Sequence, residues 1–134
     1  MNRCGEPWSL TTFIVGWCKL LIARRLWGLD VGRGTRVHPL ALLDRTWPRG
    51  LHIGEDCQIA ANVAILTHDF TRGLLTETFI GDRCVLSENC IVMPGVRIGE
   101  DCLILPGTLV SRSLAAGSRA GGNPLMIELP GRGR

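Results

Sequence analysis

Residues 80–110 read IGDRCVLSENCIVMPGVRIGEDCLILPGTLV, and this stretch repeats with a period of six residues. An aliphatic residue stands at every sixth position, namely at Ile80, Leu86, Val92, Ile98, Ile104 and Val110. The same phase holds upstream at Ile53, Ile59 and Ile65, and again at Val31, Val37 and Leu43. A period of six matches neither an α-helix nor the alternation of a single strand, and a short fixed repeat of this kind predicts a β-helix.

Small residues accompany the aliphatic positions. The residue after the aliphatic one is often Gly, Ala or Ser, and the residue four positions on is small again: Thr35, Ala41, Cys57, Val63, Cys84, Cys90, Val96, Cys102 and Thr108. We interpret each hexapeptide as one short strand and one corner, so that three hexapeptides complete a triangular coil of about 18 residues. Stacked coils are expected to pair as parallel β-sheets and to bury these residues in continuous ladders.

The composition agrees with an all-β, turn-rich chain. The 134 residues include 17 glycines and 7 prolines, but only four Trp, three Phe and no Tyr. Glycine at this density disfavours a helical bundle, because it costs about 1 kcal/mol per helical position. The net charge is +3 and the basic residues are scattered, so no nucleic-acid-binding surface is expected.

Most of the six cysteines fit the repeat. Four of them take the small inward position, which predicts buried structural thiols rather than metal ligands or redox groups: Cys57, Cys84, Cys90 and Cys102. The chain has no Cys-x-x-Cys pair, so zinc-ribbon spacing is missing. Cys4 and Cys18 lie outside the repeat, where a surface or helix-packing role is expected.

Two interruptions break the period. Four extra residues lie between Leu43 and Ile53, and the spacing from Ile65 to Ile80 is 15 where two repeats would give 12. The second interruption contains Thr-His-Asp-Phe-Thr-Arg-Gly at residues 67–73, which predicts a polar loop that leaves the coil. Interruptions in a repeat map to loops, and loops often carry function.

Three runs of this sequence resemble the hexapeptide-repeat acyltransferases. They are residues 80–110, IGEDCQIAANVAILTHDF at 53–70 and AGGNPLMI at 120–127, and the resemblance extends over residues 31–127. The most similar branch is that of the sugar O-acetyltransferases, including galactoside, maltose and exopolysaccharide acetyltransferases. The resemblance implies a left-handed parallel β-helix, a homotrimer, a small-molecule or glycan acceptor, no metal, and acetyl-CoA in the cleft between neighbouring prisms.

Acetyl transfer to a hydroxyl needs a base and a site for an oxyanion. Of the three histidines, His68 alone stands where a coil opens into a loop, and it matches the family's catalytic histidine. The neighbouring Asp69 either orients the imidazole or caps the loop, and the opposite directions of adjacent side chains in extended chain favour the cap. By alignment, Glu88 falls where the family offers a main-chain donor to the oxyanion, so only its backbone is implied.

Three residues are candidates for the acceptor site. Asp44 resembles an aspartate that binds the acceptor sugar in the family. Asn62 matches an asparagine near the family's active site, although a turn residue in left-handed conformation is the favoured reading. Trp47 either stacks on a sugar face or covers the edge of the prism.

The resemblance also implies a coenzyme A site along the later coils. Ser111 and Arg112 match a hydroxyl residue and a lysine that contacts phosphate in the family. The remaining candidates lie in late corners and strands: Ser87, Gly107, Arg119, Asn123 and Pro124. Two basic positions of the family are Met126 and Leu129 here, and Pro106 replaces a frequent main-chain N–H donor. Arg119, Arg132 and Arg134 are candidate substitutes for the missing phosphate contacts.

The ends of the chain lie outside the repeat. We divide the chain into a helical cap (residues 1–30), the β-helix (31–127) and a flexible tail (128–134). A repeat stack needs a cap on its open end, and the apolar helix predicted over residues 8–30 suits that role. A compatible alternative is an amphipathic helix, residues 8–27, at the membrane surface. Lys19 interrupts the most apolar segment and no cleavage site follows it, so neither a membrane span nor a signal peptide is predicted, and a cytoplasmic location is expected.

Other activities use the same architecture. Acetyl transfer to an amino sugar and transfer of a longer acyl group stay open. A γ-type carbonic anhydrase is disfavoured, because His38 and His52 precede core positions and no His-x4-His pair follows. A non-catalytic β-helix assembly module is the remaining alternative, because the basic positions for coenzyme A are depleted.

Overall fold

The computed structural model describes residues 9–129, which form an α-helix followed by a left-handed parallel β-helix. Helix α1 spans Leu10–Trp27, and a turn of 3-10 helix spans Pro48–Gly50. The strands are β1 (Asp30–Val31), β2 (Arg36–Val37), β3 (Leu42–Leu43), β4 (Leu51–Ile53), β5 (Gln58–Ile59), β6 (Ala64–Ile65), β7 (His68–Asp69), β8 (Leu74–Leu75), β9 (Thr78–Ile80), β10 (Val85–Leu86), β11 (Ile91–Val92), β12 (Arg97–Ile98), β13 (Leu103–Ile104), β14 (Leu109–Val110), β15 (Arg119–Gly121) and β16 (Met126–Glu128). The predicted fold class is confirmed.

The strands stack into the three sides of a prism. Side A has the order β1-β4-β9-β12, side B has β2-β5-β10-β13-β15-β16, and side C has β3-β6-β11-β14. All neighbours in these sides are parallel except β15 and β16. The chain therefore passes three corners: the A–B corner after side A, the B–C corner after side B and the C–A corner after side C.

The register confirms a coil of 18 residues. Leu86 pairs with Ile104, and Val92 pairs with Val110. Backbone hydrogen bonds at this spacing place each aliphatic residue above its counterpart in the next coil. Ile59, Ile65 and Leu86 are fully buried as a result, whereas Val37 and Leu43 of the first coil are only partly buried.

The four cysteines of the repeat lie in the core, as predicted. Cys57, Cys84, Cys90 and Cys102 are buried and free, and each thiol donates to a carbonyl oxygen of the next coil at 3.0–3.2 Å. Cys18 is exposed on α1, and Cys4 lies outside the described residues. The thiol at the small inward position of the repeat therefore packs in the core and also forms a weak hydrogen bond.

The corners explain two further features of the repeat. A Cβ atom added to Gly81 would lie 2.7 Å from the backbone nitrogen of Glu100 in the next coil, so the A–B corner has room only for hydrogen there. The third corner residue has positive φ in nearly every repeat: Gly34, Asp56, Asn62, Arg83, Asn89, Gly95, Asp101, Gly107 and Gly117. This enrichment in Gly, Asn and Asp is the sequence signal of the left-handed corner position.

The size of the second interruption is larger than predicted. Sides C and A follow one another directly, so Ile65 and Ile80 should be six residues apart, not twelve. The spacing of 15 therefore contains nine extra residues, and Ile53 pairs with Ile80 in unbroken phase. The extra residues form the antiparallel hairpin of β7 and β8 rather than an irregular loop. Leu74 of β8 stands six residues before Ile80, which is the spacing of one repeat. Periodicity alone therefore does not reveal the full length of the insertion.

Helix α1 lies against the first coil. Ser9 caps its N-terminus by accepting a hydrogen bond from the Thr12 N–H at 3.2 Å, and Gly28 ends it in left-handed conformation. Gly16 lies so close to the coil that an added Cβ would meet the Val37 carbonyl oxygen at 2.4 Å. The helix thus covers part of the open end of the prism.

The far end closes with β16. This strand runs antiparallel to β15 and includes Glu128, so the predicted tail of residues 128–134 begins inside a strand. Residues 130–134 of that tail, and residues 1–8 of the predicted cap, lie outside the described part of the chain. No helix within residues 9–129 has the length and hydropathy to cross a membrane.

We expect thiol reactivity to separate the two groups of cysteines. In a Cys4→Ser background, an Ellman assay of the folded protein should detect one fast-reacting thiol, that of Cys18. Burial raises the pKa of the Cys90 thiol, which further lowers its reactivity. The four buried thiols should react only after unfolding in guanidinium chloride, and their fast reaction in the native protein would contradict this core assignment.

Candidate active site

His68 lies at the C–A corner, on the hairpin that leaves the second coil. It is half-buried in β7, and it pairs with Leu75 of β8 in antiparallel register. Its imidazole packs edge-to-face with the Phe70 ring at a centroid distance of 5.8 Å. The Phe70 side chain is 87% exposed, so the hairpin tip presents an aromatic ring beside the imidazole.

The Asp69 carboxylate caps the hairpin turn. Its Oδ1 accepts hydrogen bonds from the backbone N–H groups of Thr71 at 3.0 Å and Arg72 at 3.1 Å. Its Oδ2 lies 3.7 Å from the Nε of Arg72. Asp69 is therefore a cap, the alternative favoured by the sequence, and these contacts hold the tip that carries Phe70.

Asp44 anchors the base of the hairpin from the coil below. This carboxylate is buried, and its two oxygens accept hydrogen bonds from the backbone N–H groups of Thr46 and Thr67, both at 2.8 Å. Burial opposes ionisation, but the hydrogen bonds from Thr67, Thr46 and the His68 backbone outweigh it and lower the pKa of Asp44 below its ordinary value. Asp44 is thus an ionised brace for the backbone at His68, whereas its contact with an acceptor sugar stays a prediction.

Two buried threonines complete this brace, and the hexapeptide pattern does not predict them. The Thr67 hydroxyl donates to the Trp47 carbonyl oxygen at 3.0 Å, and the Thr78 hydroxyl donates to the Leu66 carbonyl oxygen at 2.7 Å. Both side chains are fully buried. Each lies two residues from an inward-pointing isoleucine, Ile65 or Ile80, so strand alternation is the signal that identifies them.

The other acceptor candidates lie at two different corners. Trp47 is half-buried between β3 and β4 at the C–A corner, and its ring lies on Gly50, where an added Cβ would meet Cε3 at 2.3 Å. This is the position that covers the prism edge. Asn62 is an exposed B–C corner residue with φ of +59°, as the turn interpretation predicts.

Five candidates for donor binding and catalysis lie at or beside the B–C corner. Ser87 and Glu88 occupy the corner of the third coil, and Gly107 lies one coil further along. The Gly107 N–H donates to the Glu88 carbonyl oxygen at 3.0 Å, and the space around the Gly107 Cα is open. Asn123 and Pro124 continue this line in the turn after β15, joined by a cis peptide bond.

The basic candidates lie elsewhere on the later coils. Ser111 and Arg112 are exposed at the C–A corner, and Arg119 is exposed on side B. Met126, which replaces a basic residue of the family pattern, is 72% exposed. Arg132 and Arg134 lie outside the described residues.

The structure therefore divides the predicted site into two groups. His68, Asp69, Asp44 and Trp47 lie at the C–A corner, together with Ser111 and Arg112. Asn62, Ser87, Glu88, Gly107, Asn123 and Pro124 lie at the B–C corner. Because side C separates these corners, a single chain does not bring the histidine to the predicted oxyanion donor.

The histidines are equally dispersed. His38 follows side B, His52 lies on side A and His68 lies at the C–A corner. His52 stacks on Phe79 at 4.5 Å and contacts Asp30 at 2.9 Å. Among residues 9–129, no group of three or more His, Cys, Asp or Glu side chains is arranged to hold a metal ion.

Two family models match the chain. The model described as bacterial transferase hexapeptide (six repeats) matches residues 77–112, and the hexapeptide repeat of succinyl-transferase matches residues 48–67. A curated relative, "Putative acetyltransferase YvoF" of Bacillus subtilis (strain 168), is 30% identical over 101 residues. That match includes 74% of this chain and 59% of the relative, so the chain spans about three fifths of the relative's length.

Solved structures share the fold. A hexapeptide-repeat acetyltransferase from Vibrio cholerae O1 biovar eltor, complexed with acetyl coenzyme A, superposes with a TM-score of 0.70 at 15% identity, over 84% of this chain and 76% of that one. A maltose O-acetyltransferase from Clostridium difficile 630 superposes with a TM-score of 0.62 at 21% identity, over 82% and 73%. Fold and repeat together define a hexapeptide-repeat β-helix protein. Its repeat models and its 30% identical relative make the chain similar to the hexapeptide-repeat acyltransferases.

We expect Asp44→Asn to destabilise the protein at neutral pH. The amide presents N–H donors where the carboxylate accepts two backbone N–H groups, so the free energy of unfolding should fall by about 2 kcal/mol at pH 7. Because the folded pKa is lowered, the stabilisation by Asp44 is present above the unfolded pKa of aspartate, about 4, and is lost as the pH falls through the folded value.

Thermal unfolding at several pH values tests this. The difference in Tm between wild type and Asp44→Asn should stay constant from neutrality down to about pH 4 and shrink below it. Glu128→Gln, on the exposed surface of β16, is the control and should change stability by less than about 0.5 kcal/mol. A Tm difference that is constant with pH would show that the charge of Asp44 is not what matters.

Proposed function

We propose that this protein transfers an acetyl group from acetyl-CoA to a saccharide hydroxyl, with His68 as the general base. The proposal depends chiefly on the hairpin at the C–A corner. Asp44 and Thr67 brace the base of this hairpin and Asp69 caps its tip, so the backbone that carries His68 is held at the C–A corner. A half-buried imidazole on a braced backbone is suited to proton transfer.

The chemistry needs no group beyond the two substrates. The imidazole of His68 accepts the proton of the acceptor hydroxyl while the oxygen attacks the thioester carbonyl carbon. A C–O bond forms, and the negative charge passes to the carbonyl oxygen, where the backbone N–H of Glu88 is the proposed donor. The C–S bond then breaks, and the coenzyme A sulfur leaves with the proton held by the imidazolium.

The B–C corner fits an extended donor substrate. In the fourth coil, the third residue of this corner is Gly107, which has φ of +70° and open space around its Cα atom. A chain such as pantetheine can therefore approach the backbone from Ser87 towards Asn123. Exposed Arg112 and Arg119 are the candidate contacts for the phosphates, and acetyl-CoA supplies the activated acyl group.

A homotrimer is the assembly that we propose for this site. Each chain carries the histidine at one corner and the oxyanion donor at another, so a complete site needs two chains. In a cyclic oligomer, each interface joins two different surfaces of neighbouring copies. Such an interface can place the C–A corner of one chain against the B–C corner of the next. Sedimentation velocity measures the assembly directly.

Replacing His68 tests the chemical role. His68→Ala should lower acetyl-CoA turnover about 10²- to 10⁴-fold, measured as free thiol release with a panel of sugars and nucleotide sugars. His52→Gln, a histidine on side A, is the matched control and should retain activity. Full activity in His68→Ala would contradict the proposal. Absence of coenzyme A binding in calorimetry would instead support a non-catalytic module, and zinc retained through a chelator wash would support an anhydrase.

Glu88 provides a test of the composite site. Glu88→Gln keeps the backbone N–H and should retain activity, whereas Glu88→Pro removes it and should lower turnover at least about tenfold. Mixing His68→Ala with Glu88→Pro by co-refolding should restore about a quarter of wild-type activity, since random trimers form that share of intact interfaces. Circular dichroism shows whether each variant folds. No recovery from two folded, trimeric variants would contradict a site shared between chains.

A further inference from the structure

The outer face of α1 is apolar and lacks a partner within the described chain. Nine large apolar side chains of α1 are between 42% and 74% exposed. Phe13 and Trp27 lie against arginines, and the other seven are Leu10, Ile14, Val15, Trp17, Leu21, Ile22 and Leu26. A contiguous apolar surface of this kind marks an interaction site rather than a solvated helix face. We call these seven residues the outer face of α1.

The helix is fixed to the prism by its opposite face. Gly16, Leu20 and Ala23 are buried against the first coil. Two cations reinforce the contact, because the Lys19 ammonium donates to the Pro39 carbonyl oxygen and the Arg24 guanidinium donates to the Val31 carbonyl oxygen, both at 2.6 Å. The outer face is therefore held outward by the fold.

The charge of the helix indicates what covers this face. α1 carries Lys19, Arg24 and Arg25, and no acidic residue lies between Ser9 and Asp30. Two further arginines lie against its aromatic rings, with Arg36 over Phe13 and Arg45 over Trp27. Within α1 itself, every charged side chain beside the apolar face is therefore basic. A second copy of the same face offers no carboxylate to pair with these cations, whereas anionic lipid headgroups do.

We propose that the outer face of α1 binds the surface of a membrane that contains anionic lipid, with the helix lying in the plane of the interface. Apolar side chains enter the boundary between headgroups and acyl chains, and Trp17 has the amphipathic ring that favours this depth. The basic residues stay at headgroup level, where they attract anionic lipid.

This orientation has a consequence for the candidate active site. A cleft between α1 and the first coil is lined by Trp27, Leu43 and Asp44, and Asp44 braces the backbone at His68. A chain bound through α1 therefore holds the C–A corner close to the lipid surface. Membrane binding itself does not depend on the proposed acetyl transfer.

Vesicle flotation with the full-length protein tests the proposal. Wild type should float with phosphatidylcholine vesicles that contain about a third phosphatidylglycerol, and the bound fraction should fall with pure phosphatidylcholine or added salt. The double variant Ile14→Ser/Leu21→Ser should lower binding at least about tenfold. Met126→Ser removes an even more exposed apolar side chain at the far end of the prism and should leave binding unchanged.

A charge variant keeps the test valid even where the double variant fails to fold. Arg25→Gln changes an exposed side chain and should weaken binding to phosphatidylglycerol vesicles about fivefold, while binding to pure phosphatidylcholine stays the same. Wild type that does not float with anionic vesicles would overturn the proposal. So would larger soluble assemblies that Ile14→Ser/Leu21→Ser disperses, because the outer face would then be a contact between copies.

Discussion

The parallel hydrogen bonding of one coil to the next constrains everything else in this molecule. It pairs residues 18 apart, as in Leu86 with Ile104, and so gives every repeat position one fixed place on the prism. Aliphatic residues form inward ladders because their counterparts above and below point the same way. The cysteines occupy a corner that narrows, and the left-handed position after each strand selects Gly, Asn or Asp.

The same constraint determines where the chain can leave the coil. An insertion is tolerated only where both of its ends stay in the ladder in phase. Ile65 before the β7–β8 hairpin pairs with Val92, and Ile80 after it pairs with Ile53. Both insertions use the C–A corner, in consecutive coils, and they stabilise each other. Asp44 begins the first insertion and binds the backbone of Thr67 at the base of the second. The irregular features therefore form one buried polar unit, and that unit positions His68.

Periodicity predicts the part of the structure that obeys this constraint. The strands, the inward aliphatic residues and the buried Cys57, Cys84, Cys90 and Cys102 all follow from spacing. Spacing does not predict the length of the second insertion, since Leu74 and Leu75 imitate a repeat. It also misses the brace of Thr67 and Thr78, because threonine in or beside a strand is ordinary and only its burial gives it a role. For the candidate site, the sequence identifies the individual residues but not the separation of His68 from Glu88. Two residues of a β-helix lie close together when they share a corner, and His68 and Glu88 lie at different corners.

The narrow interior also determines where chemistry can occur. A core filled by aliphatic ladders and thiols has no room for solvated catalytic groups, so the polar candidates lie on corners. Corners of one chain are held apart by the width of a side, and a base at one corner cannot reach an oxyanion donor at another. The acyl transfer proposed for this chain therefore needs its second corner from a neighbouring copy. Asp44 and Thr67 hold the base of the hairpin at the C–A corner, so His68 lies one side of the prism away from the backbone of Glu88.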